Sequence, residues 1–157
     1  MSGVIDIAFY QPDIPANVGA AARMCAVFGL DLHIIEPAGF PWSHAAFRRA
    51  GMDYLDHVTI VRHDSWARFL EAMAGRRLVL ATTKGAVFHH QFRFAEGDVL
   101  LFGRESAGVP EDVHETADAR VKIPMRPGLR SLNVAMSAGI MAAEALRQLQ
   151  AFPAESP

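Results

Sequence analysis

The sequence predicts an α/β fold in which a mostly parallel, six-stranded sheet is covered by helices on both faces. Short apolar runs alternate with amphipathic stretches along nearly the whole chain, and glycine, proline or polar residues separate them. With 157 residues, of which 51% are hydrophobic and 20% charged, the chain has the size and apolar content of one globular domain. We expect residues 1–152 to form that domain and residues 153–157 to be a frayed tail.

Three strands are predicted in the first half of the chain, at residues 5–10, 32–35 and 58–61. Helical patterns follow the first two strands, at residues 16–28 and, more briefly, at 43–50. The first helix opens on Pro15 and Asn17 and continues in very small residues, which allow another group to approach closely.

Three further strands are predicted in the second half, at residues 78–83, 99–103 and 120–124. A helix at 65–74 precedes them and a long helix at 131–150 follows them, with Ser131 as its candidate N-cap. Open α/β sheets bind ligands on the loops that follow their strands, so we expect the chemistry there.

Composition excludes several classes of protein. Cys25 is the single cysteine, so the chain can form neither an internal disulfide nor a Cys-x-x-Cys zinc site, and we interpret Cys25 as a buried thiol on a helix. The seven histidines include no His-Glu-x-x-His pair, so no metal site is expected. Charged, glycine or proline residues break the apolar stretches well short of ~18 residues, and the N-terminus carries no targeting pattern. We therefore expect a cytoplasmic protein without a membrane span.

Three familiar motifs are incomplete. Residues 103–108 have the glycine spacing of a phosphate-binding loop, but Val109 and Pro110 stand where lysine and serine or threonine are needed. No Gly-x-Gly-x-x-Gly follows the first strand, and residues 135–139 lack the first glycine of a hydrolase elbow and lie inside a predicted helix. These gaps argue against an NTPase, a dinucleotide-binding protein and a hydrolase.

The charges are unevenly distributed although the net charge is only -2. Arg120, Lys122, Arg126 and Arg130 fall in one segment without an acid, whereas residues 105–118 hold five acids and no Lys or Arg. Arginine suits bidentate binding of phosphate or carboxylate, so residues 120–130 are a candidate anion-binding edge. A solvated loop face is the alternative.

Three segments are hard to explain as scaffold alone, namely residues 15–23, 101–110 and 123–134. In this order and spacing they resemble the motifs of the SpoU branch of the SPOUT RNA methyltransferases. The matching positions are Asn17, Gly19 and Arg23, then Phe102, Gly103, Glu105 and Gly108, then Ile123, Pro124, Ser131, Leu132 and Asn133.

Further residues resemble one subgroup of this branch, the enzymes that methylate the 2'-hydroxyl of the tRNA wobble nucleotide, cytidine or uridine at position 34. They lie at 33–37, 39–42, 48–54 and 82–85. The last helix is similar to the wider branch, so ribosomal RNA or another tRNA site remains an alternative substrate. A non-catalytic RNA-binding module on the same fold is a second hypothesis, and a Rossmann-like nucleotide-binding protein is a third. The retained Arg23 argues against the RNA-binding module, and the missing glycine fingerprint argues against the Rossmann-like protein.

The resemblance implies a fold that strand and helix alternation would not predict. Knots are nearly absent from proteins, so alternation alone predicts an unknotted sheet. In this family the C-terminal part threads through a loop to form a trefoil knot, and S-adenosylmethionine binds among the knot loops. The cofactor-binding residues implied here are Ala81, Thr82, Gly103, Ile123, Ser131 and Leu132, with Glu105 and Asn133 as braces for the loops.

The resemblance also implies how the reaction proceeds. Arg23 would be the catalytic residue, with Asn17 orienting it or the substrate unless Asn17 only caps a loop. A guanidinium loses its proton only above about pH 12, so a fixed cation beside the developing alkoxide is physically easier than a base. Arg126 and Arg130 would hold the anticodon loop of the tRNA, and the apolar last helix would pair with its copy in a homodimer.

Overall fold

A seven-stranded parallel sheet forms the centre of the protein, with strand order β3-β2-β1-β6-β4-β7-β5. The computed structural model describes residues 3–43, 45, 53–84, 87–129 and 132–155. The strands are β1 (Asp6–Tyr10), β2 (Asp31–Ile35), β3 (Ile60–His63), β4 (Leu78–Ala81), β5 (Val87–Phe88), β6 (Val99–Phe102) and β7 (Ala119–Lys122). The helices are α1 (Pro15–Phe28), a 3-10 helix (Asp53–His57), α2 (Trp66–Ala72), α3 (Glu111–Thr116) and α4 (Val134–Leu149).

The six predicted strands are all present, but the expectation of a six-stranded sheet is wrong. The seventh strand, β5, has two residues, too few for any alternation of apolar and polar side chains to stand out in the sequence. The short α3 and the 3-10 helix were also not predicted, for the same reason. Most of the helix predicted at residues 43–50 lies outside the described residues.

The last helix begins at Val134, not at the predicted Ser131. Asn133 is the N-cap, because its side-chain oxygen accepts a hydrogen bond from the Met136 amide at 3.1 Å. Ser131 itself lies outside the described residues. Leu132 and Asn133 therefore precede the helix.

The two faces of the sheet are covered by different helices. Every second side chain along the strands, such as Ile7 and Leu100, points to one face of the sheet and packs with α1 and α4 in one apolar cluster. The side chains between them, such as Ala8 and Leu101, join Phe69 of α2 and Val113 of α3 in another. This alternation is the period of two expected of strands buried on both faces. No helix of the described chain is long and apolar enough to cross a membrane.

Strand β7 lies between β4 and β5, although β5 precedes it in the chain. The connection from β4 to β6 therefore passes the position of β7, forms β5 at the edge of the sheet and returns. Helix α4 packs against this connection, where the Gln148 amide donates to the Phe92 carbonyl and accepts from the Phe94 amide, both at 2.9 Å. The last strand and helix are thus held by a segment that precedes them.

Four polar side chains, of which three are buried and Arg76 is partly exposed, form a chain of hydrogen bonds beside α2. The His33 ring lies 2.7 Å from the Asp6 carboxylate through Nε2 and 2.8 Å from His63 Nε2 through Nδ1, while Arg76 donates to the same Asp6 oxygen at 2.9 Å. Burial alone would raise the pKa of Asp6, but the hydrogen bonds from His33 and Arg76 outweigh it and lower that pKa. Burial, followed by the proximity of His33, lowers the pKa of His63.

We expect the protein to lose stability on mild acidification because of His63. Its pKa is lower in the folded protein than in the unfolded chain, so the unfolded chain binds more protons as the pH falls through about 6.5. Asp6 acts in the same direction at lower pH, because its carboxylate is stabilised by folding. Urea unfolding should therefore give a lower midpoint at pH 5.5 than at pH 7.5.

The variant His63→Gln should flatten this difference, whereas His57→Gln, at an exposed position, should leave it as in the wild type. A His63→Gln protein with the full pH dependence would contradict the assignment to His63.

Candidate functional site

A cavity of about 510 Å³ lies over the carboxyl ends of β4, β6 and β7. Its walls come from the loops after these three strands and from the first turns of α4. Five of the six predicted cofactor-binding residues line it, namely Ala81, Thr82, Gly103, Ile123 and Leu132, while Ser131 lies outside the described residues. The structure thus brings together segments that lie up to about fifty residues apart in the chain, at the edge where open α/β sheets bind ligands.

The strands end earlier than predicted, and this creates the cavity walls. Strand β4 ends at Ala81 and β7 at Lys122, so Thr82 and Ile123 already belong to loops. The Thr82 amide donates to the Val121 carbonyl at 2.9 Å. That hydrogen bond holds the loop after β4, which is the first wall of the cavity, against β7, which leads into the third wall.

The second wall is a tight hairpin that depends on two glycines. Arg104 and Gly108 form a reciprocal main-chain pair, with N–O distances of 3.0 and 2.9 Å, and Gly108 has a φ of +61°. A Cβ on Gly103 would lie 2.7 Å from the Gly108 carbonyl carbon, which is closer than carbon atoms approach. Gly103 is therefore required for the close approach of the two ends of this loop.

Polar side chains connect the hairpin and α1 to the start of α4. A carboxylate oxygen of Glu105 accepts from the Val134 amide at 3.0 Å, which also puts a negative charge at the N-terminus of α4. Asn133 donates through Nδ2 to Asn17 Oδ1 at 2.9 Å while its own oxygen caps the helix. This is the geometry expected of the two predicted braces, Glu105 and Asn133.

Asn17 is buried in the first turn of α1 and does not cap that helix. The N-cap of α1 is Ile14, without a side-chain hydrogen bond. Asn17 instead connects α1 to the loop before α4 through Asn133, and its Nδ2 is buried without a hydrogen-bond partner among the described residues. Asn17 therefore does not cap α1, and its side chain contacts the residue that caps α4.

Arg23 does not line the cavity of its own chain. Its side chain is exposed on α1, and its guanidinium carbon lies over the Tyr54 ring at 4.8 Å from the ring centre. This cation–π contact with the 3-10 helix restricts the long side chain. The structure therefore separates the predicted catalytic residue from the predicted cofactor residues within one subunit.

The basic segment that the sequence predicts as an anion-binding edge has more than one role. Arg120 turns inward and donates to the main-chain carbonyls of His114 and Ala117 at 2.8 and 3.0 Å, so it is not available to a ligand. Lys122 lines the cavity together with Lys84, and Arg126 is exposed on the loop after β7. Arg130 lies outside the described residues.

Sequence reasoning missed His114, which lines the cavity from α3. Its Nε2 is buried and has no hydrogen-bond partner within the described chain. Pro110 followed by the acids Glu111 and Asp112 is typical of a helix start and was the available signal. A helix of six residues gives no periodicity that would have pointed to it.

The described residues contain no group of three His, Cys, Asp or Glu side chains that could hold a metal ion. Cys25 is fully buried on α1, and burial raises its pKa to about 12. The thiol is therefore unreactive at neutral pH, in agreement with its interpretation as a core residue.

Fold and site together define a class of protein, an α/β protein with a cavity over the carboxyl edge of a parallel sheet, where proteins of this architecture bind ligands. Within that class the chain belongs to the SpoU rRNA Methylase family, whose model matches residues 5–143. The resemblance noted in the sequence is thereby confirmed.

Close relatives cover nearly the whole chain. A protein of Ancylobacter novellus named tRNA (cytidine(34)-2'-O)-methyltransferase is 60% identical over 148 residues, which are 93% of this chain and 94% of that protein. A protein of Escherichia coli (strain K12) with the same name is 40% identical, again over 93% and 94% of the two chains.

Solved structures agree with these relatives. One, described as giving structural insights into the 2-OH methylation of C/U34 on tRNA, has a TM-score of 0.87 at 44% identity and covers 96% of this chain and 93% of its own. The SpoU methyltransferase AviRb from Streptomyces viridochromogenes, in complex with the cofactor AdoMet, has a TM-score of 0.83 at 26% identity, over 96% of this chain and 62% of its own.

We expect Gly103→Ala to weaken binding of S-adenosylmethionine. The added methyl group must push the Gly108 backbone away, and overpacking of this kind costs about 1–3 kcal/mol, so the affinity should fall roughly tenfold. Titration calorimetry in EDTA measures the effect and also tests whether the wild type binds without a metal ion.

Gly75→Ala is the matched control, because it strains a positive-φ turn at the amino end of β4 and fills no space near the cavity. Equal affinities of the Gly103→Ala and Gly75→Ala proteins would contradict the proposed role of the hairpin.

Proposed function

We propose that this chain catalyses S-adenosylmethionine-dependent methyl transfer to the ribose 2'-hydroxyl of the tRNA wobble nucleotide, cytidine or uridine at position 34. The observation that carries the proposal is the convergence of the three motif loops on one cavity. The relatives of 40–60% identity that bear the name of this activity support the choice of substrate.

The cavity fits a cofactor of this size and character. Its volume lies within the range of about 300–1,000 Å³ typical of small-molecule sites, and its walls combine apolar side chains with polar loop groups. Ala81, Thr82, Gly103, Ile123 and Leu132 would hold the cofactor, with Ser131 added from the sequence motif. When bound, S-adenosylmethionine supplies an electrophilic methyl group on a sulfonium.

Arg23 is the residue that we assign to the reacting hydroxyl. Negative charge develops on the 2'-oxygen as it attacks, and a guanidinium in a fixed position stabilises that charge without itself moving a proton. Tyr54 limits the motion of the guanidinium, so little rearrangement is needed at the moment of reaction. Water or a substrate phosphate would take the proton.

A homodimer explains why Arg23 is distant from its own cavity. Met136 and Ile140 on α4 have exposed fractions of 58% and 37%, although Ala135, Ala138 and Met141 on the same helix are buried. An exposed apolar stripe on an otherwise packed helix supports a subunit contact. In such a dimer Arg23 of the partner subunit would complete the cavity of the first chain.

The crossing of β7 inside the β4–β6 connection supports a trefoil knot in the C-terminal part. A single SPOUT domain at residues 1–152 is supported by the Phe152 ring, which packs edge-on against Phe28 at 5.8 Å and thus belongs to the folded unit. Residues 153–157 would be the tail. A tRNA substrate supports a cytoplasmic enzyme, and transfer of a methyl group from a sulfonium requires no metal ion.

Ribosomal RNA is the second candidate substrate, since the matching family is described as rRNA methylases. The shared name of the relatives that align over more than nine-tenths of their length favours tRNA. A non-catalytic RNA-binding role is disfavoured by the complete set of cavity loops.

We expect Arg23→Ala to abolish most of the activity while leaving cofactor binding intact. Loss of one preorganised charge-stabilising donor lowers kcat roughly a hundred- to a thousandfold. Arg126→Ala, at an exposed loop position, should instead weaken RNA binding and reduce the slope of log K against log salt by about one unit. Methylation of a tRNA anticodon stem-loop under single-turnover conditions measures the first effect, with a 2'-deoxy position 34 as the inert substrate. The affinity for the same stem-loop over a range of salt concentrations measures the second. A full rate for Arg23→Ala, or methyl transfer to the deoxy substrate, would exclude ribose chemistry at this arginine.

We expect a dimer of twice 17.1 kDa in solution, and Met136→Glu should dissociate it because the charge would be buried in the contact. Ala67→Glu, at an exposed position on α2, is the control. Light scattering at micromolar concentration measures the mass, and a wild-type monomer would refute the dimer.

Mixing Arg23→Ala with Gly103→Ala protein tests whether the two subunits share one site, at a concentration of S-adenosylmethionine well below the Kd of the Gly103→Ala protein. In a mixed dimer one cavity is intact and faces an intact Arg23, so activity should rise above that of either variant alone. If Arg23 served its own subunit, the mixture would show no more activity than the two variants measured separately.

A further inference from the structure

The edge strand β5 carries exposed side chains of an unusual kind for a sheet edge. Val87 and Phe88 have exposed fractions of 51% and 37%, and the strand pairs on one side only, with β7. Proteins usually cover or charge such an edge, because an exposed apolar strand invites association. The exposed phenyl ring of Phe88 at this edge therefore indicates that a binding partner covers it.

Phe88, His90 and Lys122 form one cluster, which we call the ring platform, in which the two rings stack on each other and Lys122 lies over the phenyl ring. The rings of Phe88 and His90 are almost parallel, at 11°, with centres 5.8 Å apart. Phe88 lies beside Lys122 in the strand register, and the Lys122 Nζ lies 5.2 Å from the centre of the phenyl ring. Flat rings beside a cation are the elements by which proteins bind unpaired nucleobases and their phosphates.

The charge around the ring platform favours a polyanion. Residues 82–94 and 119–130, which contain the platform and the loops next to it, hold six Lys or Arg residues and no Asp or Glu, in a chain of net charge -2. Glu144 of α4 is the acid that acts on neighbouring His89, and Arg147 and Gln148 already bind its carboxylate at 2.9 and 2.7 Å. The two segments around the ring platform therefore carry positive charge, and neither contains an Asp or Glu that would compete with a phosphate for it.

The ring platform is also continuous with the cofactor cavity. Lys122 lines that cavity while it contacts Phe88, and Lys84, at the start of the loop that leads to β5, lines the cavity as well. Lys122 therefore connects the ring platform to the wall of the cavity.

We propose that an unpaired base of the RNA substrate, adjacent to the methylated nucleotide, stacks on Phe88 and His90 while Lys122 binds the neighbouring phosphate. The proposal rests on the function proposed above and adds where the anticodon loop is held. The stack orders a flexible single strand, so its effect falls on RNA binding and not on cofactor binding.

The test is the affinity of the full-length protein for a tRNA anticodon stem-loop, measured by fluorescence anisotropy. Phe88→Ala should raise Kd roughly tenfold, within the range of one base–aromatic stack, and Phe88→Tyr should keep the wild-type value. Val87→Ala is the matched control, because Val87 is as exposed on the same strand but points to the opposite face. Calorimetry with S-adenosylmethionine verifies that each variant is folded and has an intact cavity.

A second readout identifies the stacked base. Stem-loops with 2-aminopurine at a single loop position should show quenched emission on binding at one position next to nucleotide 34, and Phe88→Ala should remove that quenching. Loss of affinity without any change in quenching at any loop position would overturn the stacking geometry.

The outcomes separate this proposal from the function on which it rests. If the wild type neither binds nor methylates the stem-loop, the proposed function fails. If the wild type is active and Phe88→Ala binds RNA as the wild type does, only the ring platform is refuted. If Phe88→Ala changes the mass in light scattering, the edge is a subunit contact and the platform is again refuted.

Discussion

The pairing of β7 with β4 brings the parts of the site together. Three hydrogen-bonded residue pairs hold β7 in the gap between β4 and β5, so the loops after β4, β6 and β7 end at one place. Without that pairing Ile123 and the chain that leads into α4 would have no fixed position beside Gly103. The apolar cores on the two faces stabilise the sheet, but this one ladder determines that the sheet has a cavity at its edge.

A small set of directed hydrogen bonds then gives the cavity its shape. Glu105 connects the hairpin to α4, and Asn133 connects α4 to α1. A movement of any one of these segments would therefore displace the other two. Each contact joins a side chain to a main-chain or amide group whose alternative partner would be water. Such contacts contribute modestly to the free energy of unfolding, and their main effect is on geometry.

Most of the fold could be predicted from the sequence, because β1, β2, β4 and β6 are apolar runs of ordinary length. Strand β5 and helix α3 could not, since two or six residues carry no periodicity. The motif loops predicted five residues that meet in the cavity. The absence of Arg23 from the lining of that cavity could not be predicted from the sequence, because it depends on how α1 lies in the folded chain. His114 was missed since it belongs to none of the motifs.

The place of β7 in the sheet also bears on how the protein is made. During synthesis the segment with β4, β5 and β6 leaves the ribosome before β7, so the side of β4 that later pairs with β7 stays open until residues 119–122 emerge. The nascent chain must keep that gap accessible and free of misplaced partners. Pairing between strands far apart in sequence is slow, so the last step of maturation is the arrival of the C-terminal segment. A chain that ends before this point would keep most of its apolar core but would lack the cavity walls that β7, the loop after it and α4 provide.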